Sequence, residues 1–271
     1  MQMKDRVLIL TGGAGMVGKG ILRSCHEVGA KVVIVDQDEE KISAAYDSSN
    51  IPQGDRLSIV GDVALESSAE TMVEQTVEKF GRLDSVVTCV YDSTSGTAVE
   101  VSLEDWNRCL AVTLTSTFLA AKYAVPAIID TGGYGSIIAI SSVHGDHPSD
   151  RYITYAAAKA GLNHLVRAMA LDFSGQGVRV NGISPGGMTP LDHTPDLEQN
   201  KTIGIHYALG RYPSVEEIGH TVVFLASEQS GGITGQIITV DGGSSVPLQH
   251  TLFNRAVQSV KDDPERFGIT P

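Results

Sequence analysis

The stretch Arg6-Val7-Leu8-Ile9-Leu10-Thr11-Gly12-Gly13-Ala14-Gly15-Met16-Val17-Gly18 decides the fold. Its first part is a short apolar run and reads as a buried strand. The glycines predict a tight turn, and residues 19–28, with apolar Ile21, Leu22 and Val28, predict a helix. Strand, glycine turn and helix bring backbone N–H groups and a helix N-terminus to one point, which is how a pyrophosphate is received. A glycine loop alone is weak evidence. Here a second apolar strand, residues 31–35, ends in Asp36-Gln37. That acid lies about twenty residues past the loop, where a carboxylate can accept from a ribose diol. No Arg or Lys directly follows it, and Asp38, Glu39 and Glu40 would repel a 2′-phosphate. The pattern predicts NAD rather than NADP, with Lys19 the one cation near the phosphate end.

Further strands are predicted near residues 57–60, 85–90, 136–140, 178–183 and 237–240, and helices near 67–80, 103–129, 155–173 and 215–226. Strands that alternate with helices across short links predict a parallel sheet with right-handed crossovers. A chain of 271 residues can bury a core of that kind as one domain. Residues 185–213 resist assignment; their breakers and polar residues, after a strand's carboxyl end, predict a substrate lid over roughly 186–213.

Chemistry concentrates in Tyr155-Ala156-Ala157-Ala158-Lys159, with Ser142 upstream. Residues four apart on a helix share a face, so the Lys159 ammonium can sit beside the Tyr155 phenol. A nearby cation favours the phenolate and lowers a pKa that is near 10 in water. Ser142 adds a hydroxyl for the same carbonyl or alcohol oxygen. Any helix-rich chain offers Tyr/Lys pairs by chance, so the weight comes from what surrounds this one.

Taken together these motifs resemble the short-chain dehydrogenase/reductase family over about residues 4 to 245. The resemblance rests on the glycine loop, Asp36, Asp62-Val63, Ser142, Tyr155/Lys159 and Asn181-Gly182-Ile183-Ser184-Pro185-Gly186. Ile233-Thr234-Gly235-Gln236 and Val240-Asp241-Gly242-Gly243 complete it. It implies a single-domain, doubly wound Rossmann fold, a seven-stranded parallel sheet flanked by helices, assembled into dimers or tetramers. It implies an NAD-dependent dehydrogenase that interconverts a secondary alcohol and a ketone. Gly12, Gly15, Met16, Val17 and Gly18 would receive the pyrophosphate, Asp36 and Gln37 the ribose, and Asp62 and Val63 the adenine. Cys89 and Val90 would lie beside the adenine ribose, and Pro185, Gly186, Met188 and Thr189 would orient the nicotinamide. Ser142 would polarise the substrate oxygen and Tyr155 exchange its proton, while Lys159 would also hold the nicotinamide ribose.

Three positions depart from the family pattern. Met16 stands where a second loop glycine is usual and would narrow the pyrophosphate approach. Thr88-Cys89-Val90-Tyr91 replaces Asn-Asn-Ala-Gly, and a bulky Tyr91 resists the positive φ a glycine allows. Thr113 replaces an Asn that holds a water in the proton relay; its hydroxyl can hold a water with fewer donors and acceptors. Two other classes therefore share these residues: a dinucleotide-binding sensor without fast turnover, and a lyase or epimerase that uses the same Tyr/Lys pair.

Substrate identity is weakly encoded. The polar loop 143–151 lies between Ser142 and Tyr155 and offers His144 and Arg151; Gly187 and His193 stand in the lid. One reading is recognition of a sugar, polyol or hydroxy acid; the other is a solvated loop. His144-Gly145-Asp146-His147 has no further ligand cluster, so no metal is expected. The net charge of −12 argues against nucleic-acid and anionic-membrane partners. Cys25, Cys89 and Cys109 are scattered and suit a reduced compartment. The start Met-Gln-Met-Lys-Asp leads into a strand too short for a signal core, so a cytoplasmic protein is expected. Beyond the 1–245 domain, residues 246–271 form an extension. Its apolar stripe, Leu252, Phe253, Ala256, Val257 and Val260, would cover the pocket or a neighbouring subunit.

Overall fold

The computed structural model describes residues 3–132, 134–191, 206–246 and 249–262. Seven parallel strands form one sheet in the order β3-β2-β1-β4-β5-β6-β7. They are β1 (Val7–Thr11), β2 (Lys31–Asp36), β3 (Arg56–Val60), β4 (Ser85–Thr88), β5 (Gly135–Ile140), β6 (Val178–Pro185) and β7 (Ile237–Val240). The strand alternation explains the layers. Val7, Ile9, Val33 and Val35 face one core with residues of the helices α3 (Glu66–Phe80), α5 (Ser116–Asp130) and α6 (Ile153–Phe173). Leu8, Leu10, Val32 and Ile34 face the other, with α1 (Met16–Glu27), α2 (Glu39–Ser48) and α7 (Val215–Ala226). Buried on both faces, β1, β2 and β5 carry near-continuous apolar runs, as the inside of an all-parallel sheet requires.

Helix α4 (Leu103–Leu110) runs into α5 through a segment, Ala111–Thr115, that widens to π geometry. By length and composition the helical stretch Leu103–Asp130 could cross a membrane. Its Leu119, Ala120, Ala124, Val125 and Ile128 are buried in the core instead. The last helix, α8 (Gln249–Asp262), falls where the apolar stripe of the extension predicts one.

Helix α2 is absent from the sequence reading, which took its acids only as repulsive charge. The Asp38 carboxylate caps it, accepting from the Lys41 N–H at 3.1 Å, and Ile42, Ala45 and Tyr46 are its buried face. Glu39 and Glu40 lie in its first turn, where the helix dipole favours them.

The sheet order reverses direction between β1 and β4, and the crevice outside their carboxyl ends is where such folds bind ligands. Helix α1 is held there by close backbone packing on α7. A Cβ on Gly20 would stand 2.5 Å from the Val215 carbonyl oxygen, and one on Gly219 2.3 Å from Ser24 Oγ. Strand β2, which ends in Asp36, is tied to β3 by the fully buried Tyr46. Its hydroxyl accepts from the Ile34 N–H at 2.8 Å and lies 2.6 Å from the Leu57 carbonyl. Tyr46→Phe removes a buried hydroxyl from those main-chain groups. Denaturant unfolding should show a loss of about 1–3 kcal/mol; a loss below about 0.5 kcal/mol would mean that the strand ladder alone holds β2.

Candidate active site

Two connected cavities open along the carboxyl edge. The first, about 630 Å³, is lined by the glycine loop and by Ser142, His144, Tyr155, Lys159, Met188 and others. The second, about 470 Å³, is lined by Asp36, Gln37, Asp62, Val63 and Arg108. Gly12, Gly15, Cys89, Val90 and Tyr91 border both. A separate cavity of about 580 Å³ lies at the opposite end of the strands. Its Arg179 donates to the carbonyls of Leu225 and Ser227, so that guanidinium caps the end of α7.

The glycine loop is built so that backbone can approach a ligand. Gly12 has φ +69°, and a Cβ there would meet the Cys89 carbonyl oxygen at 2.5 Å. A Cβ on Gly18 would lie 2.3 Å from the Gly12 carbonyl oxygen and 2.6 Å from Gly13 Cα. Helix α1 starts without a side-chain cap and has no acid in its first turn. Its first N–H groups therefore face the crevice without a helical acceptor. These features fit the pyrophosphate of a dinucleotide. Asp36 fits the ribose: its carboxylate accepts from the Ala14 N–H at 3.3 Å and from the Gln37 N–H at 2.8 Å. Asp62 accepts from the Ala64 N–H at 2.9 Å, turning the chain beside Val63. The second cavity's one lining cation, Arg108, is engaged by Asp92 and, at 3.1 Å, by Asp105.

Met16 lines the crevice while 45% exposed, so it forms a wall without filling the space. The strain expected at Tyr91 does not arise. Among the described residues, the positive-φ residues other than glycine are Asp5, Asn50 and Arg151. Tyr91 adopts ordinary backbone geometry, and its ring packs edge-to-face on Tyr155 with centroids 5.7 Å apart.

Ser142 ends the segment after β5, and α6 carries Tyr155 and Lys159 beneath it. Ser142 and Tyr155 line the same cavity, and Ser142 lies near enough to the phenol to pull its pKa down. Lys159 is 2% exposed, donates to the Ile140 carbonyl at 2.6 Å, and lies 5.5 Å from the Tyr155 ring centroid. Burial pushes the Lys159 pKa down to about 8 and raises that of Tyr155, against the pull of nearby Ser142. The expected lowering of the phenol by Lys159 is therefore outweighed. A lysine that discharges near pH 8 is neutral before a phenol above its ordinary range ionises.

The other expected site residues divide clearly. Pro185, Gly186, Gly187 and Met188 line the larger cavity. Thr189 lies just beyond, its main chain stitched to the approach to α7: its N–H donates to the Pro213 carbonyl at 2.8 Å, and its carbonyl accepts from the Val215 N–H at 3.1 Å. Thr113 is buried, and its hydroxyl is taken up by the Asp92 main chain, accepting from the N–H at 2.9 Å. It braces the β4–α4 connection and does not line the larger cavity. Arg151 is exposed, outside the cavity, and paired with Glu100 at 3.2 Å. His193 lies outside the described residues. Tyr152 and Tyr207 line the cavity and were missed by the sequence reading. Tyr152 stands three residues before Tyr155, just ahead of α6, and that closeness in sequence was the available signal. No group of three metal-ligating side chains occurs among the described residues.

Comparison with known proteins agrees with this geometry. A family model described as enoyl-(acyl carrier protein) reductase matches residues 13–245. The chain is 36% identical over 248 residues to a 2,5-dichloro-2,5-cyclohexadiene-1,4-diol dehydrogenase of Sphingobium indicum, covering 90% of this chain and 98% of the relative. It is 30% identical to a glucose 1-dehydrogenase of Gluconobacter oxydans, with coverage of 89% and 93%. A meso-2,3-butanediol dehydrogenase of Serratia marcescens is also 30% identical, with coverage of 90% and 96%. On fold, motifs and these matches, the chain belongs to the short-chain dehydrogenase/reductase family of oxidoreductases.

Proposed function

We propose that this protein is an NAD-dependent dehydrogenase that interconverts a secondary alcohol and a ketone on a small, uncharged, oxygen-bearing substrate. The observation that carries the reading is that Ser142, Tyr155 and Lys159 line the same cavity as the glycine loop. Bound along the carboxyl edge, the nicotinamide dinucleotide would supply the hydride acceptor or donor. The protein's own residues do the rest. Gly12–Gly18 main-chain N–H groups hold the pyrophosphate, and Asp36 accepts from the adenine ribose. Asp62 and Val63 flank the adenine, while Pro185, Gly186, Met188 and Thr189 fix the nicotinamide end. Ser142 orients the substrate oxygen, and Tyr155 gives or takes its proton at Oη.

The choice of NAD over NADP is supported by Asp36 and by the absence of a free cation beside it among the described residues. Lys41 pairs with Asp38 at 3.0 Å, and Arg108 is held by two aspartates. Relatives named for diols and a sugar support a substrate with more than one oxygen. The acidic substrates of the sequence reading lose their support, since Arg151 is turned to Glu100. A cytoplasmic homo-oligomer, dimer or tetramer, completes the reading; exposed Phe118 and Leu171 and the free cysteines support it. Light scattering that finds only monomer would remove the oligomer. One observation favours the alternative of a nucleotide-binding protein with little turnover: the Thr113 hydroxyl is already occupied.

Three measurements check the reading. In fluorescence titration NADH should bind about tenfold or more tightly than NADPH, because a 2′-phosphate beside Asp36 sets like charges together. Equal affinities would overturn the cofactor choice. Tyr155→Phe should keep the fold and lower turnover about 10²–10⁴-fold; turnover like that of wild type would remove Tyr155 from the chemistry. The raised phenol pKa keeps Tyr155 protonated through neutral pH. Then kcat/KM for carbonyl reduction should stay level there, and that for alcohol oxidation, which needs the phenolate, should climb with pH. A flat alkaline limb for oxidation would assign the proton to another group.

A further inference from the structure

The larger cavity carries a row of rings. Tyr91, Tyr155, His144 and Tyr152 follow one another edge-to-face, with centroids 5.7, 5.6 and 5.4 Å apart and interplanar angles of 71°, 69° and 82°. All four line the cavity. No Asp, Glu or Arg is among its described lining residues. Its one lysine, Lys159, is buried and bonded to the Ile140 carbonyl. A carboxylate or phosphate would find no guanidinium there, whereas a neutral ring would find aromatic edges and faces to pack on.

His144 is the polar member of the row. Its main-chain N–H donates to Ser142 Oγ at 3.2 Å, which fixes the turn Val143–Gly145 beside the reacting hydroxyls. Gly145 lets that turn press on α6: a Cβ there would stand 2.7 Å from Asn163 Nδ2 and 3.1 Å from the Lys159 carbonyl. The imidazole is thereby set against Tyr155 and Tyr152. Its Nδ1 is buried without a hydrogen-bond partner, and Nε2 forms no hydrogen bond among the described residues. Burial lowers the His144 pKa, which keeps the ring neutral, with one N–H donor and one acceptor nitrogen. The buried Nδ1 cannot be reached from the cavity, so Nε2, unpartnered among the described residues and beside the proton-transferring phenol, is the nitrogen left to meet a ligand.

We propose that His144 binds a second oxygen of the substrate, on the carbon next to the reacting one, and that the substrate is a neutral cyclic vicinal diol or the matching hydroxyketone. This rests on the dehydrogenase reading for the first oxygen, held by Ser142 and Tyr155. His144 and Tyr155 pack edge-to-face and line one cavity, which makes them neighbours that can take hydrogen bonds of about 2.8 Å from oxygens on adjacent carbons. The second oxygen is bound and left unchanged. The ring row supplies the surface against which the substrate's carbon ring lies.

Calorimetric titration of catechol and phenol, flat neutral rings with two oxygens or one, tests this with and without saturating NADH. Wild type should bind catechol about five- to tenfold more tightly than phenol, the worth of one neutral hydrogen bond. His144→Phe keeps an aromatic edge on Tyr155 and Tyr152 and should bring catechol down to the phenol level, with phenol unchanged. His144→Gln should restore part of the difference. Equal binding of the two rings by wild type, an equal loss of both in His144→Phe, or binding of neither ring would overturn the proposal. Turnover of open-chain alcohols without ring binding would leave the dehydrogenase reading standing and remove this one. Selective catechol binding with no turnover of any alcohol would support the subsite and remove the dehydrogenase reading.

Discussion

Backbone against backbone at Gly12, Gly13 and Gly18 is the constraint from which the rest of the site is built. With a Cβ on Gly18 only 2.3 Å from the Gly12 carbonyl oxygen, the loop can close on α1 at that distance only because no side chain intervenes. The same demand recurs behind α1, where Gly20 and Gly219 let it lie on α7. Together these contacts bring the uncapped start of α1 to the gap between β1 and β4. Once that end is fixed, Asp36 on β2 and Tyr155 on α6 stand along one crevice, one at the ribose and one at the reacting oxygen.

Within the crevice, burial and charge compete over the phenol. The sequence argument, that a cation four residues away lowers the Tyr155 pKa, is sound for an exposed helix face. In the folded protein Lys159 is 2% exposed, and desolvation brings its own pKa to about 8. Desolvation acts on both groups in opposite directions, so the lysine loses its charge before the phenol can benefit from it. The pair is thus poised with a protonated phenol, which suits proton donation to a carbonyl oxygen. Ser142 is the neighbour that pulls the phenol the other way.

Much of the fold was legible because its signals are local. Apolar runs at 7–10, 31–35 and 136–140 needed no long-range information, and the glycine loop and Asp36 declared the crevice. Helix α2 was hidden because Asp38, Glu39 and Glu40 carry two messages, repulsion of phosphate and capping of a helix. The difficulty expected at Tyr91 assumed a positive φ that the chain does not use. Thr113 and Arg151 were matched by position, and tertiary contacts with Asp92 and Glu100 then took up their polar atoms. His144 was visible only as a polar residue near Ser142; its place in a row of rings depends on Gly145 meeting Asn163, a contact between loop and helix that no local pattern encodes.

The account stands on the claim that the glycine loop and the start of α1 form the nucleotide site serving Tyr155. Gly18→Ala tests it most directly, through NADH titration followed by energy transfer from protein to nicotinamide fluorescence. The wild type should bind saturably, while the variant, still folded by circular dichroism, should lose affinity by about tenfold or more as the loop moves off the helix end. Equal NADH affinity in the two proteins, or none in either, would contradict it.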